Sequence, residues 1–384
     1  MRTDPRQAPR VCHVITGLGT GGAERALLNL LSHGLSEQEG CSVVSLTGRG
    51  TIGPLIEKLG VRLVCLEMKR GLRALPNLKE LRRLLRESQP NIFQGWMYHG
   101  NLAATAMALV NRPKAHAAWN IRHALYSLRN ERAGTSLTIL AGRRFSARIP
   151  LTIYNSRLSL EQHAAFGFQG ERKAVVPNGF DMVAFAPDPE IRRSVRNLLA
   201  IPASAIVFGH VGRLHPMKDH PNFVRAAVAV SQAHAEAYFV MIGRGVTESN
   251  KYLTDLVPED RRDRFLFLGE QSNVPDTMKA FDVLVSSSWS EAFPNVIGEA
   301  MATGLATVVT DVGDCRDIVG EAGLVVPARN APALATAMLS LCHDKEMIAR
   351  LGGLGRTRVA ENFHIDSVVA SYRRLYDSLL DPRD

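Results

Sequence analysis

The sequence SEAFPNVIGEAMATG at residues 290–304 places two carboxylates, Glu291 and Glu299, eight residues apart around an aromatic-Pro-Asn turn. An apolar run typical of a buried strand precedes it, and Pro294 suits the start of a helix. Residues from Val296 onward have helical spacing. The pattern therefore predicts a loop that carries Glu291 and a helix that carries Glu299.

The N-terminus of that helix is a predicted anion site. The backbone N–H groups of Asn295, Val296 and Ile297 would have no partner within the helix, and the helix dipole favours negative charge at this end. A diphosphate fits this description. For an isolated pair of glutamates at this spacing, a helix with an acidic first turn and one exposed Glu is the alternative interpretation.

The rest of the chain predicts an α/β fold, because short β-branched runs alternate with helical stretches. Strands are predicted near residues 11–15, 42–46, 62–66, 91–94, 117–121 and 151–154 in the first half. In the second half they are predicted near residues 206–211, 238–242, 265–268, 283–286, 307–310 and 324–326. A chain of 384 residues exceeds one ordinary core, so two doubly wound domains are expected. Ligands would bind at the carboxyl ends of the strands, in a cleft between the facing domains.

A glycine-rich loop follows the first predicted strand, with the sequence GLGTGGAER at residues 17–25. It matches the dinucleotide fingerprint G-x-G-x-x-G, but Leu46-Thr47-Gly48 stand where that fingerprint needs an acidic residue. Gly19, Gly21 and Gly22 therefore predict a close approach of backbone to a phosphate rather than a dehydrogenase.

Two cations follow the first strand of the second half. Arg213 offers a planar fork and Lys218 a point charge, so the loop can close around a diphosphate. Solvated loop charges are the alternative. The sequence contains no D-x-D pair, through which metal-dependent sugar transferases hold a divalent ion, so we expect a metal-independent site.

Histidines supply candidate proton-transfer groups in the first half. His123 lies just past a predicted strand, and His99 and Asn101 follow another strand ahead of a helix expected at residues 102–110. A structural role is the alternative for any single histidine.

Together these motifs, with Asn178-Gly179-Phe180-Asp181, resemble the retaining glycosyltransferases of family 4 (glycosyl transferases group 1). The resemblance implies a GT-B fold of two facing Rossmann-like domains with an interdomain cleft. It implies an acceptor-binding domain at residues 1–180, a nucleotide-sugar-binding domain at 181–363, and a C-terminal helix at 364–384 that crosses back to the first domain.

The resemblance also implies roles for individual residues. Glu291 would meet the donor sugar, Glu299 the ribose hydroxyls, and the two cations the departing diphosphate. The implied catalytic residues are His123, Glu291, Arg213 and Lys218, and the implied acceptor-side residues are His99 and Asn101. The implied donor-binding residues are Gly19, Gly21, Gly22, Arg213, Lys218, Glu291, Phe293, Pro294, Asn295, Val296, Ile297 and Glu299.

The predicted reaction is transfer of a sugar from a nucleoside diphosphate, UDP favoured over GDP, to an acceptor hydroxyl of a bacterial cell-surface polysaccharide or lipid-linked glycan. The nucleotide sugar would be a co-substrate, with no cofactor and no metal. A nucleotide-sugar 2-epimerase of the same fold is one alternative. A non-catalytic binder of glycans or anionic membranes is another.

Charge is distributed unevenly along the chain. Residues 1–170 hold 23 Lys and Arg against 10 Asp and Glu, a net charge of +13, whereas the remainder has a net charge of −4. A basic helix with a leucine face is predicted from Lys69 to Arg86. It is either a surface helix packed on its own core or a contact with anionic lipid, where each basic residue contributes about 1 kcal/mol.

Partners and location follow from composition. Nucleic acid is not expected, since aromatic residues make up only 6% of the chain and no recognition motif is present. The first residues are polar and basic and contain no secretory apolar segment, so we expect a cytoplasmic protein, peripheral on the inner face of the membrane if lipid is its partner.

Overall fold

The structure is a computed structural model that describes residues 8–68, 77–111 and 115–381. It divides into two compact units. The first unit ends at Gly179 and resumes at Ile365, and the second comprises Phe180–His364.

The first unit is built on a seven-stranded parallel sheet. Its strands are β1 (Val11–Ile15), β2 (Ser42–Ser45), β3 (Arg62–Cys65), β4 (Ile92–Trp96), β5 (His116–Ile121), β6 (Leu151–Tyr154) and β7 (Arg172–Val175). They are ordered β3-β2-β1-β4-β5-β6-β7, the doubly wound order in which the topology reverses between β1 and β4.

The second unit repeats this architecture with six parallel strands. They are β8 (Ile206–Val211), β9 (Ala237–Ile242), β10 (Phe265–Phe267), β11 (Val283–Ser286), β12 (Ala306–Thr310) and β13 (Gly323–Val326). The order is β10-β9-β8-β11-β12-β13, so the reversal lies between β8 and β11. The expectation of two doubly wound α/β domains is confirmed.

Helices connect these strands. Those before the second unit are α1 (Gly22–Ser32), α2 (Gly53–Lys58), α3 (Leu78–Ser88), α4 (Met97–Val110), α5 (Ala133–Ser146) and α6 (Arg157–Phe166). The second unit contains α7 (Pro189–Leu198), α8 (His220–Ala233), α9 (Lys251–Thr254), α10 (Val274–Met278), α11 (Asn295–Ala302), α12 (Cys315–Val319), α13 (Ala331–Cys342) and α14 (Lys345–Asn362). The last helix is α15 (Ile365–Leu380).

The last helix packs within the first unit. Tyr372 and Tyr376 are fully buried in the core that also holds Ile15 and Leu27. The Tyr372 hydroxyl accepts a hydrogen bond of 2.7 Å from Asn120 Nδ2 at the end of β5. The last helix of the chain is therefore part of the hydrophobic core of the first unit.

Twelve strands match the predicted ones and β7 was missed. Its residues alternate between half-buried and exposed, and Arg172 and Lys173 occupy two of its four positions. It lies at the edge of the sheet, where only one side pairs, so a strand there needs no apolar run.

The start of one helix differs from the prediction, and the predicted start of another lies outside the described residues. α4 begins at Met97 rather than at residue 102, so His99 and Asn101 lie in its first turns. Met97 adopts φ +61°, a left-handed conformation that bends the chain sharply from β4 into the helix. For the basic helix, the described part begins at Leu78, and the predicted residues 69–76 lie outside the described ranges.

Candidate functional site

The loops that follow β8 and β11 occupy the reversal point of the second sheet. β8 connects onward to β9 on one side, and β11 connects to β12 on the other. Loops at such a point diverge and leave a crevice at the carboxyl ends of the strands. Residues 212–219 form the first loop and residues 287–294 the second.

An ion pair joins these two loops. Lys218 Nζ donates to Glu291 Oε1 at 2.5 Å, and the same oxygen accepts from Ser288 Oγ at 2.7 Å. Only 25% of the Lys218 side chain and 13% of that of Glu291 are exposed. A charge-assisted bond in such a shielded place fixes both groups before any ligand arrives.

Further hydrogen bonds make the two loops one structure. Ser287 Oγ donates to the carbonyl oxygens of Lys218 and Asp219, each at 3.0 Å. Trp289 Nε1 donates to the Pro216 carbonyl at 2.8 Å, and the Trp289 backbone N–H donates to that of Met217 at 2.9 Å. The position of Glu291 is thus set by the cation-bearing loop.

The loop after β12 supports Glu291 from its backbone side. Asp314 N–H donates to the Ala292 carbonyl at 3.0 Å. Gly313 adopts φ +55°, and a Cβ at this position would lie 2.4 Å from the Glu291 carbonyl oxygen. Only glycine permits this approach, so Gly313 is a structural part of the site that sequence reasoning missed.

Arg213 and Lys218 differ in their contacts. Arg213 is exposed, and among the described residues none forms a hydrogen bond or ion pair with its guanidinium. Burial, and then the charges of Arg213 and Lys218, lower the pKa of the neighbouring His215. The loop therefore presents net positive charge and an unengaged planar donor, which suits a polyanion such as a diphosphate.

Helix α11 begins at Asn295 with Pro294 as its N-cap residue. The prediction that Glu291 precedes this helix and Glu299 lies on it is confirmed. The expectation of an open amide at Ile297 is wrong, because its N–H donates to the Pro294 carbonyl at 3.2 Å. The tight first turn supplies this partner.

The side chain of Phe293 belongs to the core of the second unit rather than to an open surface. It is 8% exposed, and its ring centroid lies 6.3 Å from that of Phe180 and 5.8 Å from that of Phe363. Only the backbone of Phe293 remains suited to contact a ligand.

In the first unit, the glycine loop is exposed from Gly19 to Gly22, and α1 begins there with Gly21 as its N-cap. A Cβ built at Gly19 or Gly22 would meet no atom within 4 Å, whereas one at Gly17 would lie 2.7 Å from Thr47 Oγ1. Gly17 thus serves the packing of the chain. Gly19 and Gly22 leave open space for something outside it.

His123 follows β5, as predicted, and has a carboxylate partner. Its Nε2 lies 2.7 Å from Glu131 Oε1, and its carbonyl oxygen accepts from Ser159 Oγ at 2.7 Å. The ring is one-third exposed. Glu131 therefore holds the imidazole in one orientation. Sequence reasoning missed Glu131, whose only signal is an acid eight residues after the histidine.

The two acceptor-side candidates occupy different environments. His99 is exposed, and its Nε2 lies 3.1 Å from Thr138 Oγ1 on α5. Asn101 is only 2% exposed, and its Oδ1 accepts from the Asn120 N–H at 3.2 Å, which fastens α4 to β5. The structure thus gives Asn101 a structural contact, and the contact of either residue with an acceptor remains a prediction.

Arg122 was not predicted as a site residue, and it contacts several elements of the first unit. Its guanidinium donates to the Tyr372 hydroxyl at 3.1 Å and to Asn178 Oδ1, and lies 5.5 Å from the centroid of the Trp96 ring. It links β5 to α15 and to the turn at residues 178–181. Its sequence signal is its place beside His123 at the end of a buried strand.

The described ranges lack two kinds of feature. No three His, Cys, Asp or Glu side chains there are grouped so as to hold a metal ion. No helix in those ranges combines the length and apolarity that a membrane span requires.

Family models match most of the chain. The model described as "Glycosyltransferase Family 4" matches residues 20–183, and the one described as "Glycosyl transferases group 1" matches residues 205–344. The first match covers the glycine loop from Thr20 onward and both histidines, and the second covers the Lys218 and Glu291 loops.

Curated relatives align with about half of the chain. One is the lipopolysaccharide core biosynthesis mannosyltransferase LpsB of Rhizobium meliloti, 28% identical over 54% of this chain and 61% of its own length. Another is the UDP-Gal:alpha-D-GlcNAc-diphosphoundecaprenol alpha-1,3-galactosyltransferase of Escherichia coli, 28% identical over 53% of each chain. The chain thus spans between half and two-thirds of the length of these relatives.

A solved structure extends the likeness to nearly the full chain. Anabaena Alr3699/HepE, crystallised in complex with UDP, superposes with a TM-score of 0.80 over 96% of this chain and 99% of its own, at 20% identity. At this identity the likeness shows the fold, which is GT-B. With both family models matched, the chain belongs to the family 4 (group 1) glycosyltransferases.

Proposed function

We propose that this protein is a retaining glycosyltransferase that moves a sugar from a nucleoside diphosphate to an acceptor hydroxyl without a metal ion. The observation that carries this proposal is the shielded pair of Lys218 and Glu291, next to the unengaged guanidinium of Arg213. The two cations suit the diphosphate of a nucleotide sugar. The carboxylate of Glu291 suits the hydroxyl groups of its sugar ring.

The two cations would act on the leaving group. As the bond from the anomeric carbon to the diphosphate oxygen breaks, its electron pair goes to the diphosphate, and the acceptor oxygen bonds to the carbon. Arg213 and Lys218 stabilise the charge that develops there, the role often given to a metal. Because the acceptor and the leaving group would occupy the same face of the sugar, the acceptor proton passes to the departing phosphate.

The glutamates would hold the donor. Glu291 accepts from a sugar hydroxyl, and its fixed position sets which hydroxyl is in reach. Glu299 on α11 accepts from the ribose hydroxyls, while the backbone from Phe293 to Val296 faces sugar and phosphate. Gly19, Gly21 and Gly22 contribute backbone amides at the start of α1.

The first unit would select the acceptor. His123, oriented by Glu131, contacts the reacting sugar, and His99 with Asn101 forms the acceptor side. The E. coli relative transfers galactose from UDP-Gal to a diphosphoundecaprenol-linked sugar, and the Rhizobium relative acts in lipopolysaccharide core synthesis. The name of the E. coli relative supports UDP as the nucleotide, and both names support a lipid-linked or surface glycan as the acceptor.

The test uses the full chain in EDTA with UDP-glucose, UDP-galactose, UDP-N-acetylglucosamine and GDP-mannose. Release of the nucleoside diphosphate is followed over time, and the anomeric configuration of the transferred or freed sugar is read by proton NMR. We expect release from one UDP-sugar, with retention. An epimeric nucleotide sugar as the product would instead establish the 2-epimerase.

A matched pair of variants makes the assay specific to the site. Lys218→Ala should abolish most of the release. Lys345→Ala, which removes an exposed lysine from the first turn of α14, should leave it unchanged. No release from any donor by the unmodified protein would overturn the transferase proposal, and release that requires added Mg²⁺ or Mn²⁺ would overturn its metal independence.

A further inference from the structure

Two leucine side chains of helix α5, in the first unit, are exposed to solvent. Leu137 is 69% exposed and Leu140 is 43% exposed. They are three residues apart, with Arg144 four residues further on, so all three share one face of the helix. Ile139 and Gly142 are buried on the opposite face. Packing within the protein therefore does not account for these leucines.

Basic residues accompany this apolar stripe. Residues 132–160 contain five arginines and no Asp or Glu. Arg144 and Arg148 are exposed, and neither has an ion-pair partner among the residues that the structure describes. Helix α5 itself therefore carries positive charge and no acidic residue.

The end of the neighbouring helix α4 extends the apolar surface. Leu109 is 52% exposed and Val110 is 86% exposed. A groove of about 510 Å³ lies between this helix end and the starts of β5 and β6, lined in part by Leu109, Phe145 and Arg148. Clustered exposed apolar side chains of this kind mark an interaction site more often than an ordinary surface.

Helix α3, the basic helix singled out in the sequence, is different. Its leucines at positions 81 and 84 are only 8% and 4% exposed, and they pack in the core of the first unit. Its exposed face carries basic residues together with Glu80 and Glu87, and Arg83 Nε donates to Glu87 Oε1 at 3.0 Å. This helix has charge but offers no apolar surface to a partner.

We infer that α5 and the end of α4 bind the surface of an anionic phospholipid bilayer. Leu137, Leu140 and Leu109 enter the boundary between headgroups and acyl chains, while Arg144 and Arg148 contact lipid phosphates. The combination of exposed leucines with uncompensated arginines selects a bilayer over an acidic soluble partner, which would not need the apolar stripe. This inference does not depend on the donor-site chemistry.

The test is sedimentation of the full chain with phosphatidylcholine vesicles that either contain or lack phosphatidylglycerol. We expect binding only with phosphatidylglycerol, and at least about a tenfold loss of affinity for Leu137→Gln/Leu140→Gln and for Arg144→Gln/Arg148→Gln. The matched control is Arg82→Gln/Arg86→Gln on α3, which should bind within about twofold of the unmodified protein because α3 lacks exposed leucines.

Three results would overturn the inference: no binding to either vesicle, loss of binding in the α3 variant alone, or a dimer in analytical ultracentrifugation that Leu137→Gln/Leu140→Gln dissociates. The last would make the same face an interface between two copies. Circular dichroism melts of each variant exclude misfolding as the cause. Titration with UDP separates this inference from the proposed function, since the α5 variants should bind the nucleotide as the unmodified protein does.

Discussion

The two units place different kinds of chemistry at the reversal points of two similar sheets. In the second unit, the loops after β8 and β11 are joined by the Lys218–Glu291 ion pair and by bonds from Ser287 and Trp289. In the first unit, the loop after β1 is exposed glycine from Gly19 to Gly22. One site is assembled from side chains in advance, and the other offers backbone and open space. The comparison teaches that the same fold can present loops fixed by side-chain contacts in one unit, called here the fixed half, and a loop of exposed backbone in the other, called here the open half.

The largest expected effect is on the fixed half. Glu291→Gln keeps the size of the side chain and an oxygen that accepts from Ser288, but removes the charge. We expect the transfer rate to fall by about 100-fold to 1000-fold, the usual cost of losing one preorganised electrostatic contact. Glu346→Gln, at an exposed position of α14, is the control for charge alone. A rate for Glu291→Gln within about twofold of the unmodified protein would show that this half does not act on the donor.

The second largest effect is expected on UDP affinity, from the loss of the Arg213 guanidinium. Arg213→Ala should weaken UDP binding by about 10-fold to 100-fold, because a hydrogen bond to a charged group contributes about 1.5–3 kcal/mol. Thermal stability should not change, since the guanidinium has no partner among the described residues. Arg213→Lys should recover part of the affinity, as the charge returns without the planar fork. Calorimetric titration and a thermal melt together check this, and a drop in melting temperature for Arg213→Ala would contradict it.

Paired glycine substitutions compare the two halves directly. Gly313→Ala should lower the free energy of unfolding by about 1–3 kcal/mol, since its φ of +55° and the Glu291 carbonyl leave no room for Cβ. Gly19→Ala should leave that free energy unchanged because no atom lies within 4 Å of the new carbon. If the glycine loop takes part in the reaction, Gly19→Ala will still slow transfer. Urea unfolding and the transfer assay on both variants separate the two kinds of glycine.

The smallest expected effect at neutral pH is that of His220, which matters only in acid. Burial lowers the pKa of His220 from 6.5 to about 4, and its Nε2 lies 3.1 Å from the Gly212 carbonyl in the cation-bearing loop. As pH falls below 6.5, the unfolded chain takes up this proton before the folded one does. Stability should therefore be complete above pH 6.5 and decrease towards pH 4, by about 1.4 kcal/mol per pH unit for this group.

The variant His220→Gln keeps a donor for the Gly212 carbonyl and cannot titrate. Its free energy of unfolding should depend less steeply on pH in the same window. Urea unfolding of both proteins at several pH values checks this. An unchanged slope would mean that His220 does not contribute to the acid sensitivity.

The fold was predictable because its signals are local. Apolar runs of parallel strands appear at nearly every position where a strand forms, and the missed β7 is an edge strand that carries Arg172 and Lys173. Helix α4 was predicted to start too late, since the bend at Met97 depends on a left-handed backbone that no residue pattern announces.

The site was predictable only where its chemistry lies in side chains at fixed spacing. Arg213, Lys218 and Glu291 could be identified in this way. Glu131 and Gly313 could not. Glu131 reaches His123 through a turn of the chain that no residue pattern marks, and the role of Gly313 depends on its backbone angle and its contact with the Glu291 carbonyl. Asn101 illustrates the opposite error, in which a polar residue near a strand end was predicted to be functional. The contact that the structure gives its buried amide is structural.

The most direct test of the proposed donor site is calorimetric titration of UDP, in EDTA, into the unmodified protein, Lys218→Ala and Glu291→Gln. The two variants break the same ion pair from opposite sides. We expect Lys218→Ala to lose at least about tenfold in affinity because a phosphate partner is gone. Glu291→Gln should bind UDP as tightly or more tightly, since it frees the Lys218 ammonium and removes a nearby negative charge. Equal losses in both variants, or none in Lys218→Ala, would contradict a diphosphate site built on this pair.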